Sequence, residues 1–417
     1  MPALVMQPAG VPHKLYQPTD HSMKKIRVCV IFGGRSGEHE VSLVSATSVI
    51  EALDKNKYEV IPVGITKSGR WIGGDNALAL LKSGAEASHS LAMVAPDPNE
   101  HRLVATAPAD LDSAGMMSEE KIDVVIPVLH GPLGEDGTMQ GLLELANLPY
   151  VGSGVLGSAV CMDKIVQKAL CLQAGIPVVD YLWLHAVDWH SEKFETVPQV
   201  AHSQRLSGKN QNEILQTIED TLGLPAFVKP ANMGSSVGIN KARDRAQLVA
   251  AIEEAAQYDH KILIEAAIAG PREIEVSVLG NLRPKASVCG EIVPSNEFYD
   301  YNAKYVDGAS TLYIPADLAP ALSQKIRDTA IMGFLACDCQ GLARVDFLLE
   351  RDSDTFYLNE LNTIPGFTQI SMYPKLWEAS GVPYAQLLDE LIQLAFARHH
   401  AKSKLATSYQ PKQDWFK

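Results

Sequence analysis

Residues Gly341–Ser371, GLARVDFLLERDSDTFYLNELNTIPGFTQIS, decide how the rest of the chain reads. Two runs of alternating apolar residues, 343–350 and 355–362, flank a polar break at 351–354, the pattern of a β-hairpin. Side chains along a strand point alternately to its two faces. Arg344, Asp346 and Leu348 therefore share one face of the first strand, and Phe356, Leu358, Glu360 and Asn362 share one face of the second. An odd number of loop residues sets Asp346 opposite Glu360; an even number turns one set away. In the first case two carboxylates, an amide oxygen and a guanidinium meet on one surface. Hard oxygen ligands of this kind suit Mg²⁺ that also holds substrate phosphates. The competing reading is a surface hairpin with a solvated acidic face, because charged residues are mostly exposed. The turn Thr363-Ile364-Pro365-Gly366 favours a site, since it can aim a backbone N–H at the candidate ligands.

At 417 residues the chain is long enough for two or three domains. Its apolar fraction of 46% and charged fraction of 20% are those of an ordinary soluble protein. A net charge of −13 argues against a nucleic-acid surface, which needs a basic field. An anionic ligand must then be met by local Lys and Arg. The six cysteines show no C-x-x-C and no Cys/His metal spacing, and read as buried free thiols in a reducing compartment. No apolar run reaches the length of a bilayer span, and residues 1–23 read as a flexible tail without the pattern of a secretory signal.

Residues 26–32, IRVCVIF, form a continuous β-rich apolar run, the mark of a strand buried on both faces. The turn GGRSGEHE, 33–40, leads into a helical pattern from Val41 to Leu53. Arg35 and Ser36 stand where G-x-G-x-x-G needs glycine, so a dinucleotide site is poorly supported, and no P-loop motif occurs. Glu38 near the helix start can complement the helix dipole or bind an amine. Residues 58–66 and 122–128 read as further strands, and residues 73–120 as weakly patterned and peripheral. His130 follows the third strand in a glycine-rich turn, where ligands gather in open sheets. Thr138–Leu145 and residues 163–174 read as helices, with Lys164 at the start of the second. Residues 183–212 read as an irregular polar excursion. Residues 224–239, LPAFVKPANMGSSVGI, give a strand ending in Lys229, a Gly-Ser-Ser loop and a returning strand. Such a loop suits phosphate, through close N–H groups, hydroxyl donors and a lysine charge, and equally suits an ordinary hairpin. Glu265 sits on a strand at 261–266, and Glu273 on another at 272–279. Residues 298–305, FYDYNAKY, read as a loop packed on its own aromatics or as a lid. Helices are expected at 246–257, 318–336 and 383–398, with the last residues frayed.

Seven motifs in this order, GGRSGEHEVS, LHGPLGEDG, GSGVLGSAVCMDK, VKPANMGSSVG, FYDYNAKY, ARVDF and NELNTIPGFTQIS, resemble the D-alanine–D-alanine ligases of bacterial cell-wall synthesis, members of the ATP-grasp superfamily. The resemblance runs from about Arg27 to Arg398. It implies an α/β protein, α+β in its ATP-grasp part. An N-terminal open parallel-sheet domain is followed by a two-subdomain ATP-grasp fold. The implied division is a tail at 1–23, an N-terminal substrate-binding domain at 24–152, a central subdomain with a phosphate flap at 153–265, a C-terminal catalytic subdomain at 266–400 and a tail at 401–417.

The resemblance also implies roles. Lys229 binds the ATP phosphates with Lys164, under a flap carrying Ser235 and Ser236, and Lys304 reaches the γ-phosphate. Glu265 begins the adenine-contacting segment, and Glu273 holds the ribose hydroxyls. Asp346, Glu360 and Asn362 ligate two Mg²⁺ or Mn²⁺. Glu38 receives the ammonium of the first D-alanine and is linked to Ser235 and Tyr305, and His130 lies near the reacting amino acids. Arg344 and the Gly366 N–H form the oxyanion hole, and Ser371 and Met372 lie at the second carboxylate. Tyr305 favours D-alanine over D-lactate as acceptor. The implied partners are D-alanine and ATP, with no nucleic acid and no membrane, in a cytoplasmic homodimer serving peptidoglycan precursor synthesis. The alternatives are a D-alanine–D-lactate ligase or another carboxylate–amine ligase. A nucleotide-binding protein without catalysis is disfavoured by the intact metal set.

Overall fold

In the computed structural model the described residues are 24–84, 91–106, 119–191, 204–293, 311–406 and 408. Among the described residues three sheets follow one another along the chain.

The first sheet starts with β1 (Ile26–Gly33), followed by α1 (His39–Ala52) and β2 (Tyr58–Ile65). The chain continues through β3 (Trp71–Gly73), α2 (Ala77–Ser83), β4 (Leu91–Val94), β5 (Arg102–Thr106), β6 (Glu119–Lys121), β7 (Val124–Val128) and α3 (Thr138–Leu145). β1 runs parallel to both β2 and β7. Val28, Val30 and Phe32 face α1, and Cys29 and Ile31 face α3, so both faces are covered. Double coverage is why this strand reads as unbroken apolar sequence. Residues 73–120 correct the expectation of a peripheral segment: β3–β6 extend the sheet as antiparallel strands in the order β6-β5-β4-β3-β2-β1-β7. These strands are three to five residues long, too short for alternation to stand out.

After α4 (Val155–Met162) and α5 (Lys164–Gln173) comes the second sheet, of order β10-β9-β11-β8. It contains β8 (Tyr181–His185), α6 (Ala186–His190), α7 (Gln211–Leu222), β9 (Ala226–Pro230), β10 (Asn240–Ala242), α8 (Arg245–Ala255) and β11 (Lys261–Ala266). Part of the expected excursion at 183–212 is thus regular: β8 pairs with β11, and Leu182 and Leu184 enter the core under α7 and α8. A capping box between Asn210 and Glu213 starts α7, a signal present in the sequence and overlooked.

The third sheet, of order β14-β13-β12-β15-β16, holds β12 (Arg272–Gly280), β13 (Lys285–Val293), β14 (Thr311–Tyr313), β15 (Gly341–Leu349) and β16 (Phe356–Asn362). Helix α9 (Pro320–Ala336) packs on it with α4 and α5 around one core. After α10 (Met372–Ala379), α11 (Tyr384–Ser403) returns to the first sheet, where Leu387, Leu388, Leu391 and Ile392 join the core of β1 and β7. It runs past Arg398, where fraying was expected. All six cysteines are buried thiols outside any disulfide.

Candidate active site

The β15–β16 loop spans residues 350–355, an even number, and the ladder next to it pairs Phe347 with Leu358 and Leu349 with Phe356. That register alone would carry Glu360 to the core face. A β-bulge after Asp346 sets Asp346 opposite Glu360 and Arg344 opposite Asn362. One extra residue restores the parity that the loop takes away. The expected grouping of β16 is corrected accordingly. Phe356 and Leu358 point into the core, while Glu360 and Asn362 lie on the half-buried polar face with Arg344 and Asp346.

On that face the Arg344 guanidinium clamps Asp346, with Nε donating to Oδ1 and one terminal nitrogen to Oδ2, each at 2.7 Å. Asn362 Nδ2 donates to Asp346 Oδ2 at 2.9 Å. From the neighbouring strand, Glu275 Oε2 lies 3.1 Å from Arg344 Nε. Burial by itself would lower the Arg344 pKa, but Asp346 and Glu275 hold it well above the ordinary arginine value. Glu275, Asp346 and Glu360 stand in register across β12, β15 and β16. Glu273, two residues earlier on β12, is half-buried on the same face.

Lys229, the last residue but one of β9, lies within electrostatic reach of Glu360 and Glu273. Its Nζ lies 2.5 Å from Glu265 Oε2, while Lys168 Nζ lies 2.5 Å from Glu265 Oε1. Burial would raise the Glu265 carboxyl, but the two lysine charges bring it down to about 2. Both oxygens of the Glu265 carboxylate are therefore engaged by lysines. Lys164 Nζ donates to the Met233 carbonyl at 2.7 Å, at the root of the Gly-Ser-Ser loop. In that loop Ser235 and Ser236 both adopt positive φ, 49° and 59°. Such strain in non-glycine residues persists where surroundings enforce it.

Glu38 occupies the N-cap of α1 without capping it. Its Oε1 accepts a hydrogen bond from Ser235 Oγ, which joins the first sheet to the second. A Cβ at Gly131 or Gly234 would come within 2.8 or 2.6 Å of Glu38 Oε2, so a larger residue at either wall would push the carboxylate aside, and Gly131 also holds a positive φ of 76°. His130 is buried, and its Nδ1 lies 3.0 Å from the Ile364 carbonyl, which can only accept. Nδ1 therefore carries the proton, and Nε2 meets Ser45 Oγ at 3.2 Å. Burial would lower His130, but Glu135 at 3.6 Å outweighs it and the net shift is upward. Burial drives Glu135 itself up to about 7. His130 thus links the end of β7 to Ser45 of α1 and to the 363–366 turn.

The Gly366 N–H has no acceptor among the described residues. Ser371 caps α10 in position, its Oγ accepting from Thr368 N at 3.1 Å. The Met372 side chain packs with Ile292 and Leu376, so a ligand there meets its backbone N–H at the helix start. Lys304 and Tyr305, with the whole FYDYNAKY segment, lie outside the described residues.

Sequence reasoning missed Lys168, Glu275, Glu135 and Ser45 as parts of this assembly. Lys168 follows Lys164 by one helical turn on α5, a readable signal. Glu275 alternates with Glu273 on β12, but the sequence does not give the strand beside it. No group of three His, Cys, Asp or Glu side chains closes on a metal-sized point among the described residues. Mg²⁺ held jointly with nucleotide phosphates needs only one or two carboxylates, a requirement that Asp346, Glu360 and the Asn362 amide fit.

Two family descriptions match the chain, D-ala D-ala ligase N-terminus over residues 27–153 and D-ala D-ala ligase C-terminus over residues 194–393. A D-alanine--D-alanine ligase of Natranaerobius thermophilus is 48% identical over 388 residues, covering 93% of this chain and 99% of the relative. The one from Heliobacterium modesticaldum is 48% identical over 390 residues, covering 94% and 100%. Among solved structures, the D-alanine-D-alanine ligase from Coxiella burnetii superposes with a TM-score of 0.72 at 36% identity, covering 91% of this chain and 96% of that one. The VanG D-Ala:D-Ser ligase from Enterococcus faecalis gives 0.74 at 34% identity, covering 89% and 100%. With both family halves matched in order and near-half identity along almost its whole length, this chain belongs to the D-alanine–D-alanine ligase family.

Proposed function

We propose that this chain joins two D-alanines into D-alanyl-D-alanine for peptidoglycan synthesis, with ATP converted to ADP and phosphate through a D-alanyl phosphate. What supports the reading most is the row of Arg344, Asp346 and Glu360 on one face, brought into register by the bulge. Glu38 receives the ammonium of the first D-alanine, and Lys229, Lys164 and the N–H groups of the Ser235-Ser236 loop hold the ATP phosphates. A carboxylate oxygen of that D-alanine attacks the γ-phosphorus. The bond to the β–γ bridging oxygen breaks, ADP leaves and an acylphosphate forms. The amine of the second D-alanine, having released one proton to solvent, attacks the acyl carbon and gives up a second proton to the departing phosphate. Charge grows on the acyl oxygen, where Arg344 and the Gly366 N–H stabilise it, and collapse expels phosphate. Two Mg²⁺ or Mn²⁺ ions, held by Asp346, Glu360 and Asn362, supply neutralisation of phosphate charge when bound. Water excluded from the closed site cannot hydrolyse the acylphosphate. The reading extends to Glu273 at the ribose, Glu265 beside the adenine, Ser371 and the Met372 N–H at the second carboxylate, and a cytoplasmic homodimer. The family resemblance assigns Lys304 to the γ-phosphate and Tyr305 to the choice of acceptor, and both lie outside the described residues.

The VanG neighbour makes D-serine the acceptor to test beside D-alanine. Phosphate release is measured with D-alanine alone, then with D-serine or D-lactate added, and products are identified by mass. The dipeptide of D-alanine is expected to dominate; a D-serine or D-lactate product in excess would overturn the acceptor and keep the ligase. Glu360→Gln is expected to lower turnover at least about 10²-fold at an unchanged melting temperature. Full activity would remove Glu360 from the metal set.

A further inference from the structure

We propose that Glu275 is a positioning residue for Arg344, holding the guanidinium at the oxyanion face when Asp346 is given over to a cation. The proposal rests on the reading of Arg344 as an oxyanion-hole donor. Arg344 faces two carboxylates. Asp346 engages it through two hydrogen bonds, and Glu275 lies 3.1 Å from Nε. Asp346 belongs to the candidate metal set, and a divalent cation on its oxygens repels the guanidinium that now covers them. A second carboxylate is then needed to keep the arginine from swinging away, and Glu275 is the neighbouring carboxylate that the metal reading leaves unassigned.

Its setting fits that task. Glu275 is only 4% exposed, and a carboxylate so deeply buried is retained where a cation partners it. Its backbone is fixed from both sides, opposite Gly290 of β13 and Asp346 of β15. Ser277, two residues on, stands opposite Arg344, so Glu275 reaches the arginine diagonally across the ladder. Ile274 and Val276 on either side of it point into the core and allow the strand no slip.

The test is a double-mutant cycle of Glu275→Gln and Arg344→Lys, with Glu275→Asp as the conservative variant. It reads kcat, the KM for D-alanine, the melting temperature and, in the nucleotide-free protein, the Arg344 Nε–H resonance. Glu275→Gln is expected to lower kcat about tenfold, less than losing an oxyanion donor outright, with KM and melting temperature little changed and the Nε–H signal shifted. Glu275→Asp recovers part of kcat. In the Arg344→Lys background Glu275→Gln costs nothing further, because the two act as a unit. Additive losses, an unmoved Nε–H signal, or a fall confined to melting temperature would overturn the proposal. Full kcat in Arg344→Lys alone would overturn it together with the oxyanion assignment, whereas a large loss there with no effect of Glu275→Gln would sink this inference and leave the site reading intact.

Discussion

Glu265 carries more of the site than its place at the end of a strand announces. It binds Lys168 and Lys229 at once, and all three are largely buried. Replacing it by Gln leaves two ammonium groups facing an amide, and breaking a buried ion pair from one side costs about 3–5 kcal/mol. Glu265→Gln is therefore expected to lower the urea midpoint markedly at pH 7. The folded-state value of about 2 lies below the ordinary 4.5, so the carboxylate stabilises fully above about 4.5 and loses its contribution as pH falls toward 2. Stability measured from pH 5 down to pH 2 should fall more steeply in the parent than in Glu265→Gln. Parallel curves would remove the ion pair from the account. The carboxylate was visible in the sequence. Its partners were not, because Lys168 comes from a helix almost a hundred residues earlier.

At the scale of elements the last helix matters as much as the catalytic hairpin. α11 lays Leu387, Leu388, Leu391 and Ile392 on the first sheet, and Arg398 donates to the Tyr150 carbonyl at 2.8 Å while covering the Tyr150 ring. Lys57 and Tyr58 both reach Asp389 of the same helix, at 2.6 and 2.7 Å. Leu391→Ala removes a buried side chain from that seam and is expected to destabilise by about 2–5 kcal/mol, read as an earlier thermal transition. An unchanged transition would mean that the helix is not needed for the first sheet. The amphipathic helix was legible, but its partner was not, because periodicity names a face and not what the face covers. The hairpin teaches the same lesson. Its two strands and turn were legible, yet an even loop forbids the observed facing of Asp346 and Glu360, and only the bulge restores it.

Over the whole molecule the site lies where the three sheets meet. The Ser235–Glu38 hydrogen bond ties the second sheet's loop to the first sheet's helix, and His130 ties the first sheet to the turn after β16 through the Ile364 carbonyl. Ser235→Ala removes the first tie without touching either core. We expect it to raise the KM for D-alanine about tenfold, as the loss of a hydrogen bond to a charged group, and to speed hydrogen exchange in residues 232–239. Unchanged kinetics and exchange would mean that the contact is incidental.

The sequence by itself determined the three parallel strands of the first domain, most of the helices, and the residue types of the site in their order, because these depend on local periodicity and on short motifs. Tertiary structure decided the antiparallel extension of the first sheet, the bulge that turns Glu360 and Asn362 toward Asp346, and the pairing of Glu265 with Lys168 and of Glu275 with Arg344. Those depend on which strand lies beside which, and on one residue of register, and neither is encoded within the reach of a single element.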